Sequence, residues 1–359
     1  MYEATFELEA ITPVFMRGAY QSKAEFRAPS IKGVMRWWFR ALAGNYFGND
    51  IAGLREAEGR IFGSAGSGGA RRSRVGVVVE SLSKPKNIFF KPPKVFDRES
   101  WVSDLPYLFF SIKMTAKSIR NSLFYPPGSV FRVSISSRDR SSYVASLASL
   151  WAAVVLGGFG FRSRRGAGSL WFKGRVKEFE NIGLPTIIDS PKALRNGIKR
   201  AITLIGSAFG KEQEVILSPL SYPVLNEKTS YVALIEFDDP KNALRQFQRV
   251  YSGFRRKPGN KIHRIVFGLP IVKGNLGRIR WAAKKSRRAS PMMVSVKPIE
   301  TGYALVIVKF RTEPFYMVTR REERNTQEII NSVVDWSLLK EFDEKFQEKP
   351  AYGSLEVFQ

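Results

Sequence analysis

The chain is 359 residues long, which is long for one core and suits two domains; a hydrophobic share of 44% with seven Trp and 27 Phe marks it as globular. Lys and Arg number 58 against 32 acids, a formal charge of +26, and such an excess repels itself in the free protein and points to a polyanionic partner. No cysteine is present, which excludes a disulfide scaffold, a thiolate metal site and a cysteine nucleophile, and is compatible with a cytoplasmic protein.

Taken in order, Tyr2 to Ile11 alternates apolar and polar residues and predicts a half-buried strand; its glutamates exclude a signal peptide. Thr12-Pro13 ends it. Ser30 is the expected N-cap of a helix over Ile31 to Tyr46, with Ile31, Val34, Trp38 and Leu42 on one face. Lys32, Arg36 and Arg40 recur every four residues on another, interleaved with Trp37 and Phe39, and no acid intervenes before Asp50. Cations stacked from a helix N-terminus suit a phosphate backbone; the alternative is an ordinary solvated face. Asp50 to Ile61 reads as a short helix, Ala65 to Arg74 as a glycine-rich basic loop and Val75 to Leu82 as a strand. Lys84 to Asp104, with Pro92-Pro93, predicts a loop. Strands are expected over Tyr107 to Met114 and Ser129 to Ser136, with a turn at Pro126-Pro127-Gly128.

Tyr143 to Phe161 is uncharged and long enough to raise a membrane span, but serines and glycines interrupt it, so we read a buried helix over Ser141 to Leu156 and no membrane partner. It runs into Gly157 to Leu170, which holds five glycines, three arginines and two aromatics in fourteen residues. Gly158, Gly160, Gly166 and Gly168 leave the backbone open to a phosphate, Arg162, Arg164 and Arg165 supply forked donors, and the phenylalanines can take a stacked base. A flexible solvated linker is the plainer reading. No Walker spacing is present. Ser169 to Lys177 is expected to close the unit as a strand.

Strand, helix, strand, strand, helix, strand is the order of a ferredoxin-like (RRM-like) unit, βαββαβ, in an α+β protein. The aromatic-rich consensus of an RNA-recognition module is missing. A seam near Leu184 to Pro191 divides the chain into residues 1–183 and 184–359. The second part offers a helix over Pro191 to Phe209, a strand over Tyr231 to Phe237, a helix over Pro240 to Tyr251, a basic turn at Arg255 to Gly259, and strands over Ile262 to Leu269, Met292 to Lys297 and Tyr303 to Phe310. It reads as a second, degenerate ferredoxin-like unit. Lys273 to Arg288 carries seven basic residues and no acid, and is either a solvated loop or an RNA contact. From Thr312 onward six basic residues meet ten acidic ones, a balance of −4, so residues 1–311 carry +30. Thr326 to Glu348 reads as an acidic amphipathic helix.

Catalysis has few candidates. His263 is the one histidine and stands beside two cations with no recognisable partner acid, which favours a sheet-face role over a general base. Asp238-Asp239-Pro240 reads as a helix cap rather than a metal pair, and no cofactor is implied.

Several stretches occur in a characteristic order: Ile11-Thr12-Pro13-Val14-Phe15, the Pro29 to Arg40 element with its Lys-Gly-x-x-Arg-Trp-Trp-x-Arg core, Glu58-Gly59-Arg60-Ile61-Phe62-Gly63-Ser64, the Gly157 to Leu170 loop, and Arg287-Arg288-Ala289-Ser290-Pro291-Met292. They resemble the RAMP superfamily of CRISPR proteins, and within it subunit one of the Cmr-type (type III-B) RNA-guided effector complex. The resemblance implies two ferredoxin-like domains and a non-catalytic subunit at the end of the ribonucleoprotein distal to the crRNA 5′ tag. Its implied partners are single-stranded RNA, guide or target, and other RAMP subunits. Carried over by position, Lys32, Arg36, Arg40, Arg162, Arg164 and Arg165 would hold phosphates, with Arg287 and Arg288 as further contacts. A RAMP-type, metal-independent endoribonuclease using His263 is the competing function.

Overall fold

The structure is a computed structural model that describes residues 1–20, 22–65, 69–87, 101–109, 112, 123–215, 218–256, 266–268, 271–272, 278–281, 289–313, 318–321, 327–330, 336–343, 346 and 349–358. The alternating N-terminus forms β1 (Tyr2–Ala10), with Ala4, Phe6, Leu8 and Ala10 inward and Glu3, Glu7 and Glu9 toward water. β1 is central. It pairs antiparallel with β5 (Val130–Ser137) on one side and with β6 (Leu170–Phe172) on the other, and β2 (Val75–Ser81) adds to the far edge of β5. The order β2-β5-β1-β6 is that of a ferredoxin-like sheet. On its outer face Arg132 bridges Glu7 and Glu80, and Trp171, opposite Glu9 on the same face, is only 7% exposed and offers little ring to a base.

Helices α1 (Ala28–Phe47), α2 (Ile51–Phe62) and α4 (Arg140–Leu156) belong to this unit; Asp50 caps α2, and Asp139 caps α4 by accepting from the Ser141 and Ser142 N–H groups. The expected cap at Ser30 is wrong. Arg27 is the N-cap and makes no side-chain cap bond; Pro29 lies in the first turn, where its missing N–H is harmless, so the helix opens earlier. The segment joining β2 to β5 contains β3 (Lys86–Asn87), the single-turn α3 (Trp101–Asp104) and β4 (Leu123–Phe124). Residues 107–109 and 112 of the strand expected over Tyr107 to Met114 are not in a strand, and 110–111 and 113–114 lie outside the described residues. Phe109 N–H donates to the Leu105 carbonyl and Ile112 N–H to Phe109, so the apolar run coils and buries Leu105, Leu108, Phe109 and Ile112 together. The closing strand is short, and Lys177 already begins α5 (Lys177–Glu180).

Beyond the expected seam, α6 (Pro191–Ala208) is capped by Ser190, and its Leu194, Ile198, Ala201, Ile202 and Ile205 join the core shared by α1 and α4. A second antiparallel sheet follows, ordered β10 (Met292–Ile299), β11 (Gly302–Phe310), β7 (Ser230–Phe237), β14 (Lys349–Tyr352). With α7 (Pro240–Arg256) after β7 and α8 (Ser337–Asp343) before β14, it repeats the ferredoxin-like order. Two insertions build a third sheet: β8 (Ile271–Val272) with β9 (Arg278–Trp281), and β12 (Val318–Arg321) with β13 (Gln327–Ile330). The single acidic helix expected over Thr326 to Glu348 is therefore corrected. Gln327–Ile330 pairs as a strand with β12, and among the described residues of that span only Ser337–Asp343 is helix; residues 326, 331–335, 344–345 and 347–348 lie outside them. Val266 and Phe267 sit in a helical turn, not a strand; residues 262–265 and 269 lie outside the described residues.

The two units stack. Tyr231, Ala233 and Ile235 of β7 face α7 and α8, whereas Val232 and Leu234 face the α1–α4–α6 layer. The second sheet is thus buried on both faces, which is why β7, β10 and β11 read as continuous apolar runs. The same arrangement explains α4, uncharged and buried all round from Ala145 to Leu156 because it lies between two sheets, with Ser146 and Ser149 donating to carbonyls of the helix itself.

Candidate nucleic-acid interface

The cations of α1 are anchored on α2 and the loop behind it. Glu58, whose side chain is 7% exposed, accepts from Arg36 Nε at 2.5 Å and from Arg40 at 2.7 Å, and Arg36 also donates to the Gly63 carbonyl. Lys32 Nζ donates to the Ser73 hydroxyl and the Val75 carbonyl, and burial followed by nearby Arg36 pulls its pKa down. Three cations and one carboxylate leave the stripe at +2. Arg36 and Arg40 stay about one-third exposed, but their first partner belongs to the chain itself. Phe39 is fully buried in the core and is no stacking surface.

The glycine loop meets the neighbouring face of α1. Arg164 lies over the Trp37 ring at 5.0 Å and donates to the Ser290 carbonyl at 2.6 Å. Arg165 lies over Tyr251 at 4.7 Å and reaches the Met292 carbonyl. Arg162 donates to the Leu108 carbonyl at 2.6 Å. Arg255, on the last turn of α7, packs over the same Tyr251 and donates to its hydroxyl. Burial, then the charge of Arg165, pushes Arg162 and Arg164 down to about 10, so both remain cationic at neutral pH. Among the described residues no carboxylate pairs with Arg162, Arg164 or Arg165; their partners are carbonyls and rings. Carbonyls orient a guanidinium without cancelling its charge, so the site keeps +3 there.

The glycines serve the chain before any ligand. A Cβ on Gly168 would stand 1.8 Å from the Phe159 carbonyl oxygen, on Gly160 2.6 Å from that of Phe15, and on Gly166 2.3 Å from Leu244 of α7. Gly158 meets the Ala167 carbonyl at 2.9 Å. The loop N–H groups of Phe159, Phe161 and Gly168 go to the Gly168, Phe15 and Pro13 carbonyls, and Thr12 Oγ1 donates to the Gly166 carbonyl. Bare backbone here permits close packing of the loop on the segment that follows β1, Thr12 to Phe15, and on the second unit. Lys297 of β10 completes the joint: its ammonium is buried, donates to the Gly157 and Leu170 carbonyls, and is pushed well down by that burial.

Tyr251 and Lys297 carry no site signal in the sequence, and Glu58 and Arg255 stand there only at the head of a matched motif and of a basic turn, not as site residues. Glu58 had a signal, since it shares the apolar phase of Leu54, Ala57 and Ile61. Asp239 caps α7 as expected, accepting from Asn242 N–H at 2.7 Å. Among the described residues no group of three or more His, Cys, Asp or Glu side chains could hold a metal, and no helix is long and apolar enough to cross a membrane. His263, Arg287 and Arg288 lie outside the described residues.

Known proteins with this sequence and architecture agree with one another. The RAMP superfamily model matches residues 7–171. The CRISPR system Cmr subunit Cmr1-1 of Pyrococcus furiosus is 37% identical over 349 residues, covering 96% of this chain and 95% of that protein. Subunit Cmr1-2 of the same organism is 48% identical over 181 residues, 47% of this chain and 95% of its own. The apo crystal structure of Cmr1 from Pyrococcus furiosus superposes with a TM-score of 0.70 at 32% identity over 98% of this chain and 99% of that one. A chain of the type III-B Cmr-beta cryo-EM structure bound to cognate target RNA shares the fold, with a TM-score of 0.54 at 12% identity over 96% and 98%. Identity above one-third along nearly the whole of both chains, on a shared pair of stacked ferredoxin-like units, places this chain in the RAMP superfamily, in the family of subunit one of the type III-B (Cmr) CRISPR complex.

Proposed function

We propose that this chain is a non-catalytic, RNA-binding subunit of a type III-B ribonucleoprotein. It contacts guide or target RNA at the end distal to the crRNA 5′ tag, beside neighbouring RAMP subunits, in antiviral defence. The observation that carries the reading is the loop triplet: Arg162, Arg164 and Arg165 are oriented by carbonyls and rings and neutralised by no carboxylate among the described residues. Lys32, Arg36 and Arg40 extend the positive edge at lower net charge, Gly158, Gly160, Gly166 and Gly168 set the loop's shape, and Arg287 and Arg288 add contacts. Membership of the family supports it, as does the related Cmr-beta assembly, which is bound to cognate target RNA. The division at residues 183/184 belongs to the same reading, with the loop as the joint between the two units. Incubating the protein with single-stranded RNA and with a crRNA-repeat substrate tests the reading. Binding without cleavage supports it; cleavage abolished by His263→Ala replaces it with the endoribonuclease.

A further inference from the structure

We propose that Phe161 is a base-stacking residue: one nucleobase of a bound single strand lies on its ring while the neighbouring guanidiniums hold the flanking phosphates. The inference rests on the RNA-binding reading above and adds a contact which that reading lacks. Of the two loop aromatics, Phe159 is fully buried, whereas Phe161 is 50% exposed. An exposed phenylalanine is by itself ordinary. This one is held outward by its backbone. Gly160 and Arg162, on either side, both adopt left-handed conformations, at φ +83° and +63°, and Arg162 is the one non-glycine residue with positive φ among the described residues.

That conformation is rare for arginine and persists because both ends are tied. Phe161 N–H donates to the Phe15 carbonyl at 2.7 Å, and the Arg162 guanidinium donates to the Leu108 carbonyl at 2.6 Å. The turn sends the Arg162 guanidinium to the Leu108 carbonyl and leaves the Phe161 ring half-exposed, in the same loop as three arginines that pair with no carboxylate among the described residues. An exposed apolar ring in a loop that also carries three guanidiniums matches the alternation of base and phosphate along a single strand, and every base has a face to offer, so the contact is independent of sequence.

The test uses the full chain and a short single-stranded RNA carrying 5-iodouridine, with affinity measured against salt for wild type, Phe161→Ala and Phe161→Trp. We expect the photo-crosslinked peptide to contain Phe161. We also expect the alanine variant to bind about tenfold more weakly with an unchanged salt slope, and the tryptophan variant to bind like wild type. Equal affinity for wild type and Phe161→Ala, with the crosslink elsewhere, overturns the stacking role while leaving RNA binding intact. Normal RNA affinity in the alanine variant with impaired docking of a RAMP subunit would instead assign the ring to a protein contact and also overturn it. Absence of binding by every variant, wild type included, removes the RNA reading on which the proposal rests.

Discussion

Glu58→Gln separates the structural from the RNA-facing role of the α1 cations. The carboxylate is nearly buried and accepts from two guanidiniums, one oxygen each. Glutamine keeps one acceptor oxygen and adds an NH2 group that points at a cation, so one charge-assisted bond is lost. Such a bond is worth roughly 1.5–3 kcal/mol, reduced because Arg36 and Arg40 are about one-third exposed and water reaches them. The neutral amide is also cheaper to bury. The net loss is about 1–2 kcal/mol, read as a lower urea midpoint at constant m-value. The substitution raises the stripe from +2 to +3. If the stripe lies against RNA, affinity at low salt rises and the dependence of log K on log salt steepens by about 0.7. An unchanged urea midpoint would refute the anchoring role of Glu58. Unchanged RNA affinity and slope would remove Lys32, Arg36 and Arg40 from the interface.

Further predictions concern the joint. Gly168→Ala places a Cβ 1.8 Å from a backbone oxygen at φ +65°, and should destabilise by about 3 kcal/mol in urea unfolding, whereas Gly174→Ala, left-handed but open, should lose only about 1 kcal/mol; equal losses would contradict the packing account. Lys297→Met should flatten the pH dependence of stability. Burial holds the native lysine well below its ordinary pKa, so between the two values the unfolded chain binds more protons and the wild type gains stability as pH rises. Parallel wild-type and variant curves from pH 7 to 10.5 would show that the ammonium titrates normally.

Much of the fold could be read from the chain because local pattern and tertiary setting agree there. The alternation in Tyr2–Ala10, the uncharged run of α4 and the paired strands Met292–Ile299 and Gly302–Phe310 form as their periodicity predicts. The misses fall where an apolar run suits more than one neighbour. Ile329 and Ile330 keep helical phase but are β-branched, and β12 offers them an edge. Leu108 and Phe109 coil into a core that holds Phe15 of the first unit together with Leu244 and Phe247 of the second, neighbours that local periodicity does not reveal. The loop arginines were found by composition, yet their carbonyl partners, Leu108, Ser290 and Met292, come from distant segments that spacing cannot join. Composition presents the glycines as room for a phosphate; close approach of Phe15, Phe159 and Leu244 uses that room, and sequence does not distinguish the two.

The most direct test of the central claim is the salt dependence of single-stranded RNA affinity for wild type and for Arg162→Gln/Arg164→Gln/Arg165→Gln, which keeps amide donors for the carbonyls. If about four phosphates are neutralised, the wild-type slope of log K against log salt lies near −3, and losing three cations flattens it by about 2 for all sequences alike. A variant that folds like wild type and keeps the full slope would show that these arginines hold the two units together and nothing else.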